Sequence, residues 1–260
     1  MQQENVFTEW RHKRHIHWSK PFGAVMEWPK YAFPESLFPS IFTNPTSISP
    51  VFSKGKPAWQ LLDKESQDSL KQQLSDVKAE SPMNLEDAKI RKSLQATFDQ
   101  TKGSVIIENG AKIEPGVHFV GPCYVGKNAQ IRHGAYIREY SWICSDSVVG
   151  HCTEVKHSIL LPGAKAPHFN YVGDSILGKD VNLGAGVKLS NLRNDATEVY
   201  LRIDGTRVAS GLRKFGAVLG EGCQLGCNAV TNPGTVLGLD NVVWPNITVT
   251  GIHPSNTIHR

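Results

Sequence analysis

From Ile107 onward a large apolar residue returns at every sixth position: Ile107, Ile113, Phe119, Val125, Ile131, Ile137, Ile143, Val149, Val155 and Leu161. Two places before each stands a residue that is mostly small or β-branched: Val105, Ala111, Val117, Cys123, Ala129, Ala135, Ser141, Ser147, Thr153 and Ile159. Chance does not hold both registers over so many repeats. The beat returns at Leu177, Leu183 and Leu189, and again at Leu219, Leu225, Leu237, Val243 and Val249, with Thr231 its one polar member. Small partners in that last run include Ala217, Cys223, Ala229 and Thr235. A period of six is too long for strand alternation and does not fit a helix face. It fits a short strand and a turn, repeated, with the large residue always pointing inward. Glycines fall in the turns, as in "ENGAKIEPG" and "GEGCQLGCN", where positive φ is often needed.

Repeats of this length predict a parallel β-helix, three hexapeptides to a triangular coil, so that residues 18 apart stack about 4.8 Å from one another. The fold class expected is mainly β, with a mixed, partly helical N-terminal region. The solenoid is expected over residues 104–251, an N-terminal cap over 1–103 and a tail over 252–260. Two interruptions break the beat. One is "AKAPHFNYVGD", Ala164 to Asp174, where the chain is expected to give up a strand. The other, 191–214, alternates around "DGT" and predicts a protruding hairpin. Insertions in a solenoid gather on one face, often the binding face.

The N-terminal hundred residues lack the period. "PAWQLLDKESQDSLKQQLSDV" predicts one helix with Leu61, Leu62, Leu70 and Leu74 apolar. "NLEDAKIRKSLQATF" predicts a second, with Asn84 as N-cap and Glu86 and Asp87 in its first turn. This region is expected to pack on the first coils and cap the open edge of the solenoid.

Composition narrows the class. The chain has 260 residues, 40% hydrophobic and 20% charged, with a net charge of +4. That balance is ordinary for a soluble globular protein and too weak to argue for nucleic acid as a partner. The densest basic run, "WRHKRHIHWSK" from Trp10 to Lys20, could touch an acidic partner but reads first as a solvated arm. No apolar run reaches the roughly 18 residues of a membrane span, and the N-terminus lacks the apolar core of a signal peptide. Cys123, Cys144, Cys152, Cys223 and Cys227 form no CxxC pair and are odd in number, which points to reduced cysteines and a cytoplasmic location. Zinc on Cys223 and Cys227 lacks a second nearby pair of ligands.

Function must come from residues that point outward or sit in the insertions. Arg138 and Lys156, 18 apart, are expected to stack as two cations on one face. Either a phosphate lies over them, or Glu139 and Glu154 relieve them. His133 and His151 are also 18 apart, with His157 six further on, and a ladder of this kind could hold zinc. The γ-class carbonic anhydrases that do so carry a closer histidine pair that this chain lacks, and no metal is expected. His168 follows Pro167 in the interrupted stretch, and an imidazole there could take a proton near pH 7. Tyr171, three residues on, could donate or accept a hydrogen bond.

The stretch "EVKHSILLPGAKAPHFNYVGDSILGKDVNLGAGVKLSNLRND" resembles the acetyltransferase region of the bifunctional N-acetylglucosamine-1-phosphate uridyltransferase and glucosamine-1-phosphate acetyltransferase family. It looks closest to the archaeal-type sugar-1-phosphate nucleotidylyltransferases, which share the "NLR" and a later stretch like "GTRVASGLRKFGAVLG". The likeness runs from about Trp59 to Pro254. It implies a left-handed β-helix, a cytoplasmic homotrimer and acetyl-CoA as co-substrate. It implies that His168 is the general base, that Arg138, Lys156 and Tyr171 hold a sugar phosphate, and that Asn182 and Asn191 contact the sugar and the acetyl group. Acetyl-CoA is expected near Ala185, Cys227 and Pro245. The expected activity is N-acylation of an aminosugar-1-phosphate or nucleotide-sugar precursor, and the alternative is a catalytically inactive, trimeric sugar-phosphate-binding or scaffold relative. Three departures stand out. The Gly-rich nucleotidyltransferase signature GxGTRMxPxTxxxPK does not occur, so nucleotidyl transfer is not expected. Thr197 and Tyr200 stand where family members often carry lysines. Leu192 replaces a tyrosine of the bacterial version.

Overall fold

The computed structural model describes residues 28–43, 48–203 and 205–260; the basic run from Trp10 to Lys20 lies outside them. The body is a three-sided parallel β-helix, and each side is an eight-stranded sheet. The first face carries Val105–Ile107, Cys123–Val125, Ser141–Ile143, Ile159–Leu160, Ile176–Leu177, Ala217–Leu219, Thr235–Leu237 and Ile252–His253. The second carries Lys112–Ile113, Gln130–Ile131, Val148–His151, Lys165–His168, Asn182–Leu183, Gln224–Leu225, Val242–Val243 and Ile258–His259. The third carries Thr97–Asp99, His118–Val120, Tyr136–Ile137, Glu154–Lys156, Tyr171–Gly173, Lys188–Leu189, Val230–Thr231 and Thr248–Val249. All ladders between neighbours on these faces are parallel, as in Ile107 opposite Val125 and Val125 opposite Ile143. The beat residues fill the bore: Ile107, Ile131, Ile137, Ile143, Val149 and Val155 are wholly buried. Thr231, the polar beat, is buried with an unpartnered hydroxyl.

The register corrects the count of sixes at its midpoint. Ile143 pairs with Leu160 and not with Leu161; Leu160 pairs with Leu177, and Val155 with Val172. Two coils are therefore 17 residues long, each shortened by one at the corner that joins the third face to the first. Leu160 points into the bore, while Leu161 belongs to a second apolar cluster outside it. The stretch Ala164 to Asp174 gives up no strand. Lys165–His168 pairs with Val148–His151, and Tyr171–Gly173 pairs with Glu154–Lys156. The beat only looked broken because Ala166, a small residue, takes a bore position and the phase has slipped by one.

The solenoid is longer than its period. Thr97–Asp99 already pairs with His118–Val120. At the other end, Ile252–His253 and Ile258–His259 pair with Val236–Leu237 and Val242–Val243. Residues 252–260 are thus strand and turn of the last coil, and not a tail.

The N-terminal region is irregular. The helix expected over residues 57–77 is two pieces, a 3-10 turn Ala58–Leu62 and α1, Leu70–Asp76, capped by the Ser69 side chain on Gln72 N–H. The second helix, α2, is Ala88–Leu94, and Asp87 caps it in place of Asn84 by accepting from the N–H of Lys89 and Ile90. Met83, Leu85, Leu94 and Ala96 do plug the open first coil. The larger part, with Leu37, Phe38, Trp59, Leu61, Leu62 and Leu70, lies along the first face. There it meets the outward side chains Tyr124, Trp142, Ile159, Ile176, Val218 and Val236. Burying apolar residues on both sides of these strands removes much surface from water. The same cluster takes in Val199, Leu201 and Ile203 of the hairpin Tyr200–Ile203/Thr206–Ala209 and its flank. Among the described residues no helix is long and apolar enough to cross a membrane.

Candidate active site

The two short coils bring four side chains into one column at the corner between the third and first faces. Glu139, His157, Asp174 and Asn191 follow one another there, held by His157 N–H to Glu139 O at 3.0 Å and Asp174 N–H to Lys156 O at 3.0 Å. His157 and Asp174 both take left-handed backbone, φ 46 and 47, which is uncommon outside glycine. Asp174 is 2% exposed. One carboxylate oxygen accepts from His157 Nδ1 at 2.7 Å and the other from Asn191 Nδ2 at 2.5 Å, with Lys156 Nζ 3.9 Å away. Burial pushes the carboxyl up, but the His157 hydrogen bond and the surrounding positive charge outweigh it and hold Asp174 below the usual carboxylate range. Burial pushes His157 down, against the pull of Asp174. The neutral imidazole therefore donates from Nδ1, and its Nε2 is buried without a partner.

The cations stack in register as the spacing requires, since Ile137 pairs with Val155. Arg138 donates to Glu154 at 2.7 Å, and its Nε, 3.8 Å from Glu139, is shielded from solvent and makes no hydrogen bond. Lys102 bonds Glu139 at 2.5 Å. Burial chiefly pushes Lys156 down; Asp174 opposes this, and Lys214, Arg138 and Lys64 add to it. Relief by carboxylates is thus the state of this corner as it stands. Gly173 makes room for the rest. A Cβ there would lie 2.6 Å from the Tyr171 hydroxyl and 2.8 Å from Asn191 Nδ2. Tyr171 is held neutral, its pKa raised first by burial and then by the charges of Glu154 and Asp174.

His168 stands across the third face, at the corner with the second. It pairs in register with His151. Below it the column continues through Ala185, Cys227 and Pro245: Gly186 N–H bonds His168 O, Asn228 N–H bonds Ala185 O, and Asn246 N–H bonds Cys227 O. His168, Cys227 and Pro245 are exposed and Ala185 is half-buried, so the residues expected to meet acetyl-CoA share one open edge with the expected base. The backbone under His168 is tightly held. Its N–H donates to Asn170 Oδ1 at 3.0 Å, and the buried Asn170 amide donates to Gly184 O at 2.8 Å. Pro167 rests directly on Gly150, where a Cβ would come 1.6 Å from the Pro167 carbonyl oxygen. Among the described residues no group hydrogen-bonds the His168 imidazole.

Some expected residues separate. Asn182 lies on the second face between Lys165 and Gln224, away from Asn191. His157 leaves the histidine ladder for its buried bond with Asp174, so only His133 and His151 stack, with ring centroids 5.6 Å apart. Cys223 is buried and Cys227 exposed. Among the described residues no three His, Cys, Asp or Glu side chains converge as metal ligands.

The hairpin answers the missing lysines. Thr197 bonds Asp195 at 2.9 Å, and Tyr200 lies under Arg207 at 4.5 Å, so both serve the hairpin itself. The chain then returns to where it left: Lys214 bridges Leu192, and Phe215 N–H bonds Asn191 O at 2.9 Å. Lys214 thereby brings a cation beside Asn191. Asp174 and Lys214 went unread in the sequence. The 17-residue steps from His157 to Asp174 and from Asp174 to Asn191 were the available signal for the first.

Residues 119–259 match the family described as the GMPPB C-terminal domain. A bifunctional sugar-1-phosphate nucleotidylyltransferase/acetyltransferase of Sulfurisphaera tokodaii is 37% identical over 57% of this chain and 37% of its own. The bifunctional protein GlmU of Methanococcus vannielii is 40% identical over 56% of this chain and 35% of its own. The chain spans well under half the length of these relatives. A putative uncharacterized acetyltransferase of Escherichia coli, YaiX, is 27% identical over 83% of this chain and 89% of its own. Among solved structures, the acetyltransferase domain of PglB from Neisseria gonorrhoeae aligns over 79% of this chain and 81% of its own, with TM-score 0.35 and 12% identity.

Proposed function

The chain belongs to the family of the GMPPB C-terminal domain, and from that premise we propose that it is an acyl-CoA-dependent N-acyltransferase acting on an aminosugar phosphate or nucleotide-sugar precursor. The observation that carries this reading is a division of labour across the third face. An exposed, unpartnered imidazole, His168, stands at one edge. A cationic, half-buried corner built from Arg138, Lys156 and Asn191 stands at the other, with Tyr171 between them. The bifunctional relatives support acetyl transfer as the chemistry.

In this reading the phosphate lies against Arg138 and Lys156, within reach of the Tyr171 hydroxyl. His168 takes a proton from the amine as its nitrogen attacks the thioester carbonyl. The C–N bond forms, the C–S bond breaks, and CoA leaves as a thiolate that takes up a proton. The Asn191 amide, one hydrogen spent on Asp174, offers the other to the sugar or the developing oxyanion. Acetyl-CoA runs along the edge of Ala185, Cys227 and Pro245, and the working unit is a cytoplasmic homotrimer in which a second copy closes that edge. Release of free CoA from acetyl-CoA with glucosamine-1-phosphate or galactosamine-1-phosphate, abolished by His168→Ala, is the expected result. Absence of turnover with every aminosugar phosphate and nucleotide-linked aminosugar tried would sink it.

One observation favours a second reading, a catalytically inactive relative that binds sugar phosphate or serves as a trimeric scaffold. Arg138 and Lys156 already have carboxylate partners, Glu154 and Asp174. Thermal shift with CoA and sugar phosphates separates the two: stabilisation without turnover belongs to the second.

A further inference from the structure

The N-terminal region reaches the site. Lys64, just after the turn Ala58–Leu62, holds its Nζ 5.1 Å from the Tyr140 ring centroid. Tyr140 meets the His157 imidazole edge-on at 5.8 Å. It follows Arg138 by two residues, so Lys64 hangs over the coil that carries Arg138. At the other end Lys214 returns beside Leu192, three coils further along the stack. With adjacent coils about 4.8 Å apart, the backbone between these two ends spans about 14 Å. Lys156 lies between them.

The charges of the strip do not close. Lys102 pairs with Glu139, Arg138 with Glu154 and Lys156 with Asp174. Among the described residues neither Lys64 nor Lys214 has a carboxylate within ion-pair distance. Two uncompensated cations at opposite ends of a partly buried strip favour an anion that lies along it. One phosphate group satisfies one end. Two linked phosphates extend toward both.

We infer that Lys64 is a specificity-determining residue, and that the corner accepts a diphosphate, so that the substrate is an amino sugar carried on a nucleoside diphosphate. The sugar part rests on the acyl-transfer reading above, while the diphosphate part stands on the cation strip alone. The N-terminal region then forms one wall of the binding site as well as a cover for the first face.

The test is calorimetric titration of inorganic pyrophosphate and inorganic phosphate into the full chain and its Lys64→Ala and Lys64→Arg variants. Lys64 is exposed, so all three are expected to melt alike. The wild type should bind pyrophosphate more tightly than phosphate. Lys64→Ala should weaken pyrophosphate about tenfold while leaving phosphate within about twofold, the size expected for one charge-assisted contact. Lys64→Arg should stay near wild type. Equal affinity for the two anions, no binding of either, or pyrophosphate affinity unchanged in Lys64→Ala would overturn the inference. Acyl transfer keeps the two proposals apart. Lys64-dependent pyrophosphate binding without transfer to any amino sugar sinks the enzyme and leaves the site. Transfer that prefers the 1-phosphate and ignores Lys64→Ala does the reverse.

Discussion

His157 and Asp174 are 17 residues apart in sequence, yet their side chains meet at 2.7 Å, 2% and 3% exposed. The contact exists because the coil between them is one residue short. It makes a carboxylate the hub of a corner that also holds Lys156 and Asn191.

Acid should loosen this hub. His157 is pushed down by burial, so its share of stability is complete above the unfolded histidine value of about 6.5 and is lost as pH falls through the lower folded value. Asp174 is held below its ordinary range, so its share is present above about pH 3.9 and is lost on further acidification. Both slopes have the same sign. The melting temperature should be flat between about pH 7 and 8 and fall below about 6.5, and His157→Gln should fall less steeply between about 6.5 and 5. His259, also pushed down by burial, adds a slope of the same sign to both proteins and cancels in the comparison. A variant as steep as the wild type would contradict the assignment.

Asp174→Ala leaves the His157 N–H, the Asn191 amide and Lys156 without their shared acceptor. Breaking one side of a buried charged network typically costs about 3–5 kcal/mol. Urea unfolding should show a loss in that range, together with loss of sugar-phosphate binding. A loss below about 1 kcal/mol would mean that water replaces the carboxylate.

Gly173→Ala separates site from scaffold. Gly173 has no positive φ, so backbone strain is not at issue. Its added Cβ would collide with the Tyr171 hydroxyl and Asn191 Nδ2. Both sit at the ends of side chains and can move aside. Asn191 must give up its bond to Asp174 as it moves, so stability should fall by about 1 kcal/mol, while binding of phosphate ligands falls by tenfold or more, about 1.4 kcal/mol. Unchanged affinity would show that Tyr171 and Asn191 are not ligands.

Gly150→Ala should be far more damaging. Its Cβ would meet the Pro167 carbonyl oxygen, a backbone atom, at 1.6 Å, and no rotamer change relieves that. The strand ending at His168 must shift. The melting temperature should fall and turnover should fall with it; wild-type melting would show that the strand takes up the methyl group, and full activity that the held backbone is unimportant.

The bore was legible because its signal repeats. Apart from Thr231 and Leu161, each beat residue is large, apolar and inward, and seventeen of them agree. The site was legible in part. Arg138 and Lys156 stack as counted because the coil between Ile137 and Val155 keeps 18 residues. Beyond Val155 the same count fails. It sets Lys156 over Asp174, whereas the register sets Lys156 over Gly173 and Asp174 over His157. A one-residue deletion at a corner leaves no mark in composition and shows only as a change of phase. The two-piece helix was missed for a related reason. Leu61, Leu62, Leu70 and Leu74 are all buried, but they face a sheet and not one helical stripe. The covered face did have a signal: Tyr124, Trp142, Ile159, Ile176, Val218 and Val236 are outward residues on successive coils, and all are apolar. Lys214 was out of reach, because a hairpin of unknown path separates it from Asn191.

That covered face changes how the molecule should come apart. A bare solenoid stabilises each coil only through its neighbours, so it can fray from the ends one repeat at a time. Here the helical N-terminal layer touches outward residues from six coils at once, with Trp59 stacked on Phe215 at 5.5 Å. No coil along that wall can loosen without exposing apolar surface shared with coils far from it. The layer acts as a splint, and it should turn a one-dimensional array into a body that melts in a single cooperative step.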